Sequence, residues 1–203
     1  MTFANLSHRD FNDRLAEGSP TPGGGSAAAL TGAMAAAAVE MVCNLSIGKT
    51  DDDTDEADLK EARDELQYHR DVLEQLADDD SDAFQEVMGA FKLEEGPERT
   101  EAIQTAMKHA ASVPMDTATR CLAITELAAT VAEIGNPNAV TDAGAGGLLG
   151  HAAMEAALFN VEINLTSIDD EHFVEEMTAD VEDFREAGAE AVDRLNATVS
   201  ESF

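Results

Sequence analysis

Apolar residues recur at steps of three and four along most of the chain, the spacing of one face of an α-helix. No stretch alternates convincingly with the period of two that marks a strand. Leu6-Ser7-His8-Arg9-Asp10-Phe11 reads as a helix start, with Ser7 as N-cap, acidic Asp10 at the third position and Leu6 placed to staple onto Phe11. Gly18 closes that helix. Ser19-Pro20-Thr21-Pro22-Gly23-Gly24-Gly25 then breaks the pattern more completely than any other segment. From 26 to 45 almost every residue is Ala, Leu, Met or Val, so the predicted helix is apolar nearly all round and belongs in the centre of a bundle, with Gly48 marking its end. Thr31, Gly32 and Glu40 interrupt the run, which argues for a buried helix rather than a membrane span.

A long helix is predicted from Asp53 or Thr54 to about Phe91. Its seam reads Leu59, Ala62, Leu66, His69, Leu73, Leu76, Asp80, Phe84, Val87 and Phe91, heptad-like with one shift near Asp80. Glu95-Gly96-Pro97 breaks the chain. A helix over 97–112 follows, then Pro114 interrupts and a further helix carries 115–134. Gly135-Asn136-Pro137-Asn138 is a turn, and the small-residue stretch 141–147 leads into a helix through His151, Met154, Leu158 and Val161 to about Leu165. The last helix opens at Asp169 or Asp170 and shows Phe173, Met177, Val181, Phe184, Leu195 and Val199 on one face. The expected fold is all-α: a single domain over 1–203, built as an antiparallel bundle of long helices.

Composition sharpens this picture. The 203 residues are 44% hydrophobic, enough for a real core, yet 42 acidic side chains face 12 basic ones and leave a net charge of −30. Such a surface excludes nucleic acid and anionic membranes as partners, because both need basic stripes. Only four lysines are present (Lys49, Lys60, Lys92 and Lys108), the balance expected of a protein that holds water and cations in concentrated salt, so a halophilic source is the expectation. Cys43 and Cys121 stand alone in apolar stretches without metal-ligand spacing, as small core residues of a reducing compartment. No basic-then-apolar leader opens the sequence, and a cytoplasmic location is expected.

Four features are candidates for chemistry. Gly23-Gly24-Gly25-Ser26 lets backbone approach a ligand closely and offers helix N–H groups to an anion, but it equally suits a hinge into a buried helix; it lacks the Gly-Lys-Ser/Thr close of a phosphate loop. Gly144-Ala145-Gly146-Gly147 has no preceding strand, so close helix packing explains it better than a dinucleotide site. Asp80 occupies a seam position where Leu or Phe is expected. Either the carboxylate is buried at a cost retained for function, or the seam drifts and the run Asp78-Asp79-Asp80 with Asp82 faces water. His69 reads as a core histidine with a satisfied ring, and His151 with Glu155 as a salt-bridged face rather than two metal ligands.

Several segments, in order, carry a resemblance: Pro22-Gly23-Gly24-Gly25-Ser26; Met41-Val42-Cys43-Asn44-Leu45-Ser46-Ile47-Gly48-Lys49; Asp80-Ser81-Asp82-Ala83-Phe84; Ala102-Ile103-Gln104; Val113-Pro114-Met115; Gly135-Asn136; Thr141-Asp142; and Phe159-Asn160-Val161-Glu162-Ile163-Asn164-Leu165. Together they span most of the chain and resemble the cyclodeaminase/cyclohydrolase family of folate one-carbon enzymes. The resemblance implies a dimerising helical bundle and a catalytic aspartate at Asp80. It also implies substrate-binding positions at Gly23, Gly24, Gly25, Ser26, Lys49, Asn136, Asp142 and Asn160. Lys49 would meet a folate glutamate carboxylate or donate a proton, or simply balance a helix end; Asn160 and Asp142 have plain structural readings as well.

The implied reaction takes place at the carbon bridging N5 and N10 of tetrahydrofolate, with no metal, nicotinamide or other cofactor. The favoured expectation is hydrolysis of 5,10-methenyltetrahydrofolate to 10-formyltetrahydrofolate, with Asp80 as general acid and base. The alternatives are a formimidoyltetrahydrofolate cyclodeaminase that releases ammonia, and a non-enzymatic helical dimerisation protein in which Asp80 only sets register.

Overall fold

A computed structural model describes residues 2–50 and 52–202. Six helices carry the fold: α1 (His8–Leu15), α2 (Gly24–Ser46), α3 (Asp53–Ala90), α4 (Pro97–Ile134), α5 (Val140–Leu165) and α6 (Glu171–Ser200). Short 3-10 turns at Phe3–Asn5 and Pro137–Ala139 complete it, and the described residues contain no strand. The all-α expectation holds.

Local signals account for the helix ends. Ser7 caps α1 by accepting the Asp10 N–H at 3.1 Å, Asp52 caps α3 through Thr54 N–H at 2.8 Å, and Asp170 opens α6 by accepting from Phe173 N–H at 3.2 Å. Phe11 is buried against the edge of Phe3, whose ring centroid lies 5.8 Å away. Gly48, at φ +78°, takes the left-handed conformation just past the end of α2.

α2 is the central element, packed by α3, α4 and α5. By length and composition alone it is apolar enough to cross a membrane; in the bundle its Ala28, Ala29, Ala35, Ala36, Val39 and Val42 face core. Small residues let the helices close in. A Cβ on Gly32 would stand 2.6 Å from Cys121 Sγ, and one on Gly146 would stand 2.5 Å from Val39 Cγ2. The second glycine stretch thus lies inside α5, as helix packing. Both cysteines are free and buried, and burial pushes their thiols up to about 11 at Cys43 and about 12 at Cys121.

Three expectations change. α4 runs unbroken through Pro114 instead of dividing there. The α3 seam holds from Leu59 to Leu76 and then drifts, so that Ala77, Ser81, Ala83 and Ala90 are buried beside the expected Val87, while Phe91 is 47% exposed. A 3.6-residue helix rotates away from a strict heptad over that length, and small residues fill the closer approach. His69 is a core residue as expected, but its Nδ1 has no hydrogen-bond partner among the described residues; burial, then the nearby Arg120 charge, holds its pKa low.

Candidate active site

The loop 16–23 delivers Gly23, Gly24 and Gly25 to the start of α2, and the middle of α3 delivers Asp80 to the same point. The Ser26 N–H donates to Asp80 Oδ2 at 2.8 Å and the Ser26 hydroxyl donates to the same oxygen at 2.9 Å. The Ser81 hydroxyl lies 3.3 Å from Ser26 Oγ, behind the pair. One carboxylate oxygen is thereby fixed. The other rests against the Cα of Gly25, where any Cβ would collide with the carboxylate. Glycine here is a packing requirement, since the backbone carries no positive φ.

Burial pushes the Asp80 carboxyl above the ordinary carboxylate range, and the two Ser26 hydrogen bonds pull it part of the way back. An ionised Asp80 is therefore poorly solvated and held in one orientation, which suits a proton-transferring group. Ser26 itself is fully buried, with its N–H and hydroxyl committed to Asp80, so it positions the carboxylate and lies outside the cleft wall.

Asp80 opens into a cleft of about 360 Å³ whose walls are Pro20, Thr21 and Gly23 to Gly25 on one side, with Phe84, Val87, Met107, Ala110, Asn160 and Asn164 around it. Asn160 donates its Nδ2 to the Ala156 carbonyl at 2.7 Å. Asn164 donates its Nδ2 to the Ala110 carbonyl of α4 at 2.6 Å. That second bond explains the unbroken α4. Pro114 has no N–H, so the Ala110 carbonyl, four residues earlier, lacks its helical donor; Asn164 supplies one from α5. These bonds hold the two amides one helical turn apart, each with its Oδ1 free to accept a hydrogen bond from a ligand and a second N–H free to donate one. The cleft is thus lined by the Asp80 carboxylate, the two Asn amides, the start of α2 and apolar surface, without a cationic side chain.

Asn164 was missed as a site residue in the sequence, where an asparagine near a helix end reads as a cap. Its spacing from Asn160 and the proline at 114 were the available signals. The other expected site residues lie elsewhere. Lys49 and Asn136 line a second cleft of about 390 Å³ with Ser46, Thr50, Gly135 and Asn138, at the far end of α2, which is roughly 34 Å long at 1.5 Å per residue. The two ends of that helix cannot meet within one chain. Asp142 is exposed in the first turn of α5, where a carboxylate complements the helix dipole, and lines neither cleft. Glu155 is engaged by Arg185 Nε at 3.2 Å, a structural ion pair.

Residues 7–183 match the family model described as formiminotransferase-cyclodeaminase. The chain belongs to the formiminotransferase-cyclodeaminase family. It is 44% identical over 191 residues to a methenyltetrahydrofolate cyclohydrolase of Methylorubrum extorquens, covering 91% of this chain and 92% of that one. It is 34% identical over 160 residues to the formimidoyltransferase-cyclodeaminase of Gallus gallus, covering 76% of this chain but 30% of that longer protein. The crystal structure of a formiminotetrahydrofolate cyclodeaminase from Thermotoga maritima superposes with a TM-score of 0.90 at 34% identity, over 97% of each chain. Family membership makes the chain an enzyme and sets aside the reading of a non-catalytic dimerisation protein.

Proposed function

We propose that this chain is a methenyltetrahydrofolate cyclohydrolase in which Asp80 is the general base and acid. The observation that carries the reading is the single carboxylate at the head of the cleft, fixed by Ser26 and raised in pKa by burial. The 44% identity to a cyclohydrolase along nearly the whole of both chains supports that reaction over others.

In 5,10-methenyltetrahydrofolate the bridging carbon belongs to a delocalised cation. Asp80 takes a proton from water as its oxygen bonds to that carbon. The protonated carboxyl then returns that proton to N5 as the carbon–N5 bond breaks, while the hydroxyl on the same carbon gives up its own proton to solvent; the formyl group is left on N10 and one proton is released in all. Ionised Asp80 also stabilises the substrate's positive charge in a poorly solvated setting. The Oδ1 atoms of Asn160 and Asn164 accept from pterin N–H groups, and Phe84, Val87 and Met107 cover the ring.

No resident cofactor is called for. The working unit is a homodimer, because α5 carries an outward row of apolar side chains including Leu149, Phe159 and Ile163. A −30 chain that binds an anionic substrate works best in concentrated salt, in a cytoplasmic setting.

The second reading, formimidoyltetrahydrofolate cyclodeaminase, is favoured by the likeness to the Thermotoga maritima structure; the same carboxylate would then deprotonate N10 and protonate departing ammonia. Purified protein in high salt separates them. Loss of methenyltetrahydrofolate absorbance without ammonia release from formimidoyltetrahydrofolate supports the cyclohydrolase. Ammonia release alone overturns it in favour of the deaminase.

A further inference from the structure

The two clefts occupy opposite ends of one antiparallel helix pair. Gly24 of α2 adjoins Asn160 of α5, and Gly146 of α5 adjoins Ala35 and Val39 of α2. The Asp80 cleft therefore sits where α5 ends and the Lys49 cleft where α5 begins. The first cleft holds a carboxylate and no cation; the second is lined by Asn136, Asn138 and the exposed Lys49, whose Nζ donates one hydrogen bond to the Leu45 carbonyl at 2.8 Å and keeps its other N–H groups for a ligand. Neither alone suits a ligand with a cationic, donor-rich ring at one end and carboxylates at the other.

Between them α5 presents an outward row, Ala145, Leu149, Ala152, Ala156, Phe159 and Ile163, at alternating steps of four and three; Arg185 covers one face of the Phe159 ring, 5.7 Å from its centroid, and Ala156 is half-buried. Leu149 is 41% exposed, Phe159 62% and Ile163 64%. The row is self-complementary. Placed against an identical antiparallel copy about a two-fold at position 154, Ala152 faces Ala156, Leu149 faces Phe159 and Ala145 faces Ile163, so every member has a partner and the alanines allow close approach. The occupant that fits this row is thus a second copy of the chain.

The same two-fold carries the partner's Lys49 cleft past the end of α5. The partner's Asn136 falls about eight residues beyond Asn164, roughly 12 Å at 1.5 Å per residue. We propose that the site is shared between protomers: Asp80, Asn160 and Asn164 of one chain hold the pterin and its reacting carbon, and the partner's Lys49 binds the glutamate carboxylates. This deepens the folate reading above and rests on it.

Complementation tests the arrangement. Asp80→Asn alone is expected to lose turnover, and Lys49→Ala alone to raise KM at least about 10-fold with kcat little changed. An equal mixture, dissociated and reassembled at substrate well below KM, is expected to recover about a quarter of wild-type activity, since half the dimers then hold one intact site of two. A mixture no more active than its separate components overturns the shared site, as does an unchanged KM in Lys49→Ala.

A readout independent of turnover fixes the geometry. Ala145→Cys and Ile163→Cys chains, mixed and treated with a short bis-maleimide, are expected to give a cross-linked heterodimer, while neither variant links to itself; native Cys43 and Cys121 are buried and unreactive. A monomer by light scattering, or no such cross-link, overturns the proposal. Correct cross-linking without methenyltetrahydrofolate turnover in the wild type faults the folate assignment instead.

Discussion

Asp80 is held by two donors on one oxygen and by a glycine wall on the other, and its burial sets stability against function. Its pKa is higher in the folded chain than in the unfolded one, so between those two values the folded state binds more protons. Stability from this group is full below the unfolded value, declines as pH rises through the folded one, and leaves a penalty at neutral pH. Asp80→Asn is therefore expected to raise the melting temperature at pH 7, with the gain shrinking as pH falls below the ordinary carboxylate range. The same change should cut turnover by about 10²–10⁴-fold, the usual share of general acid–base catalysis. Calorimetry at two pH values and a rate assay on one preparation read both; a variant that is less stable at pH 7 contradicts the burial argument. Gly25→Ala pushes its Cβ onto the carboxylate and displaces it. The expected loss is about 10²-fold in kcat/KM with helix content unchanged by circular dichroism, the scale of an ångström-level misplacement.

At the scale of elements, α4 and α5 are joined by a repair. Pro114 orphans the Ala110 carbonyl, and Asn164 satisfies it from a helix 54 positions away in sequence. Asn164→Ala should cost about 1 kcal/mol, the usual net worth of one hydrogen bond, here to a part-buried carbonyl. In a Pro114→Ala background, where the helix regains its own N–H donor, the same substitution should cost much less. Denaturant unfolding of the four proteins in that cycle measures the difference, and equal costs in both backgrounds would break the link between the two residues. This pairing also shows where sequence reading reaches its limit. The seams of α3 and α6, the Ser7 and Asp170 caps and the polar intrusion of Asp80 were legible because each follows from residues a few positions apart. The continuity of α4 was not, because a proline ends a helix only if nothing distant supplies the missing donor. Asn164 went unrecognised for the same reason. Lys49 and Asn136 were expected beside Asp80, and that grouping fails within one chain because a rigid helix separates the two ends.

For the whole molecule, charge governs behaviour. The arginines and lysines that pair do so mostly across helices, as Arg185 with Glu155 and Glu162, Arg194 with Glu133 and Lys108 with Asp170, or within one helix, as Lys60 with Glu56, and these pairs leave a large surplus of carboxylates on the surface. At low ionic strength that surplus repels itself and repels an anionic substrate across the whole surface, since the Debye length is about 30 Å at 0.01 M. At about 1 M salt the length contracts to about 3 Å, shorter than the spacing of most surface charges, and only direct contacts such as Ser26 with Asp80 keep their strength. Melting temperature and 1/KM are therefore expected to rise together from 0.01 to 1 M KCl, while kcat, which on the proposed mechanism depends on the part-buried Asp80, is expected to change little. Substituting exposed α6 carboxylates that do not line the cleft (Glu175, Asp180 and Glu182) by their amides should flatten the salt dependence of stability without moving kcat. A melting temperature indifferent to salt in the parent chain would mean that counterions already neutralise the surface at low concentration, and self-repulsion would then have no part in its stability.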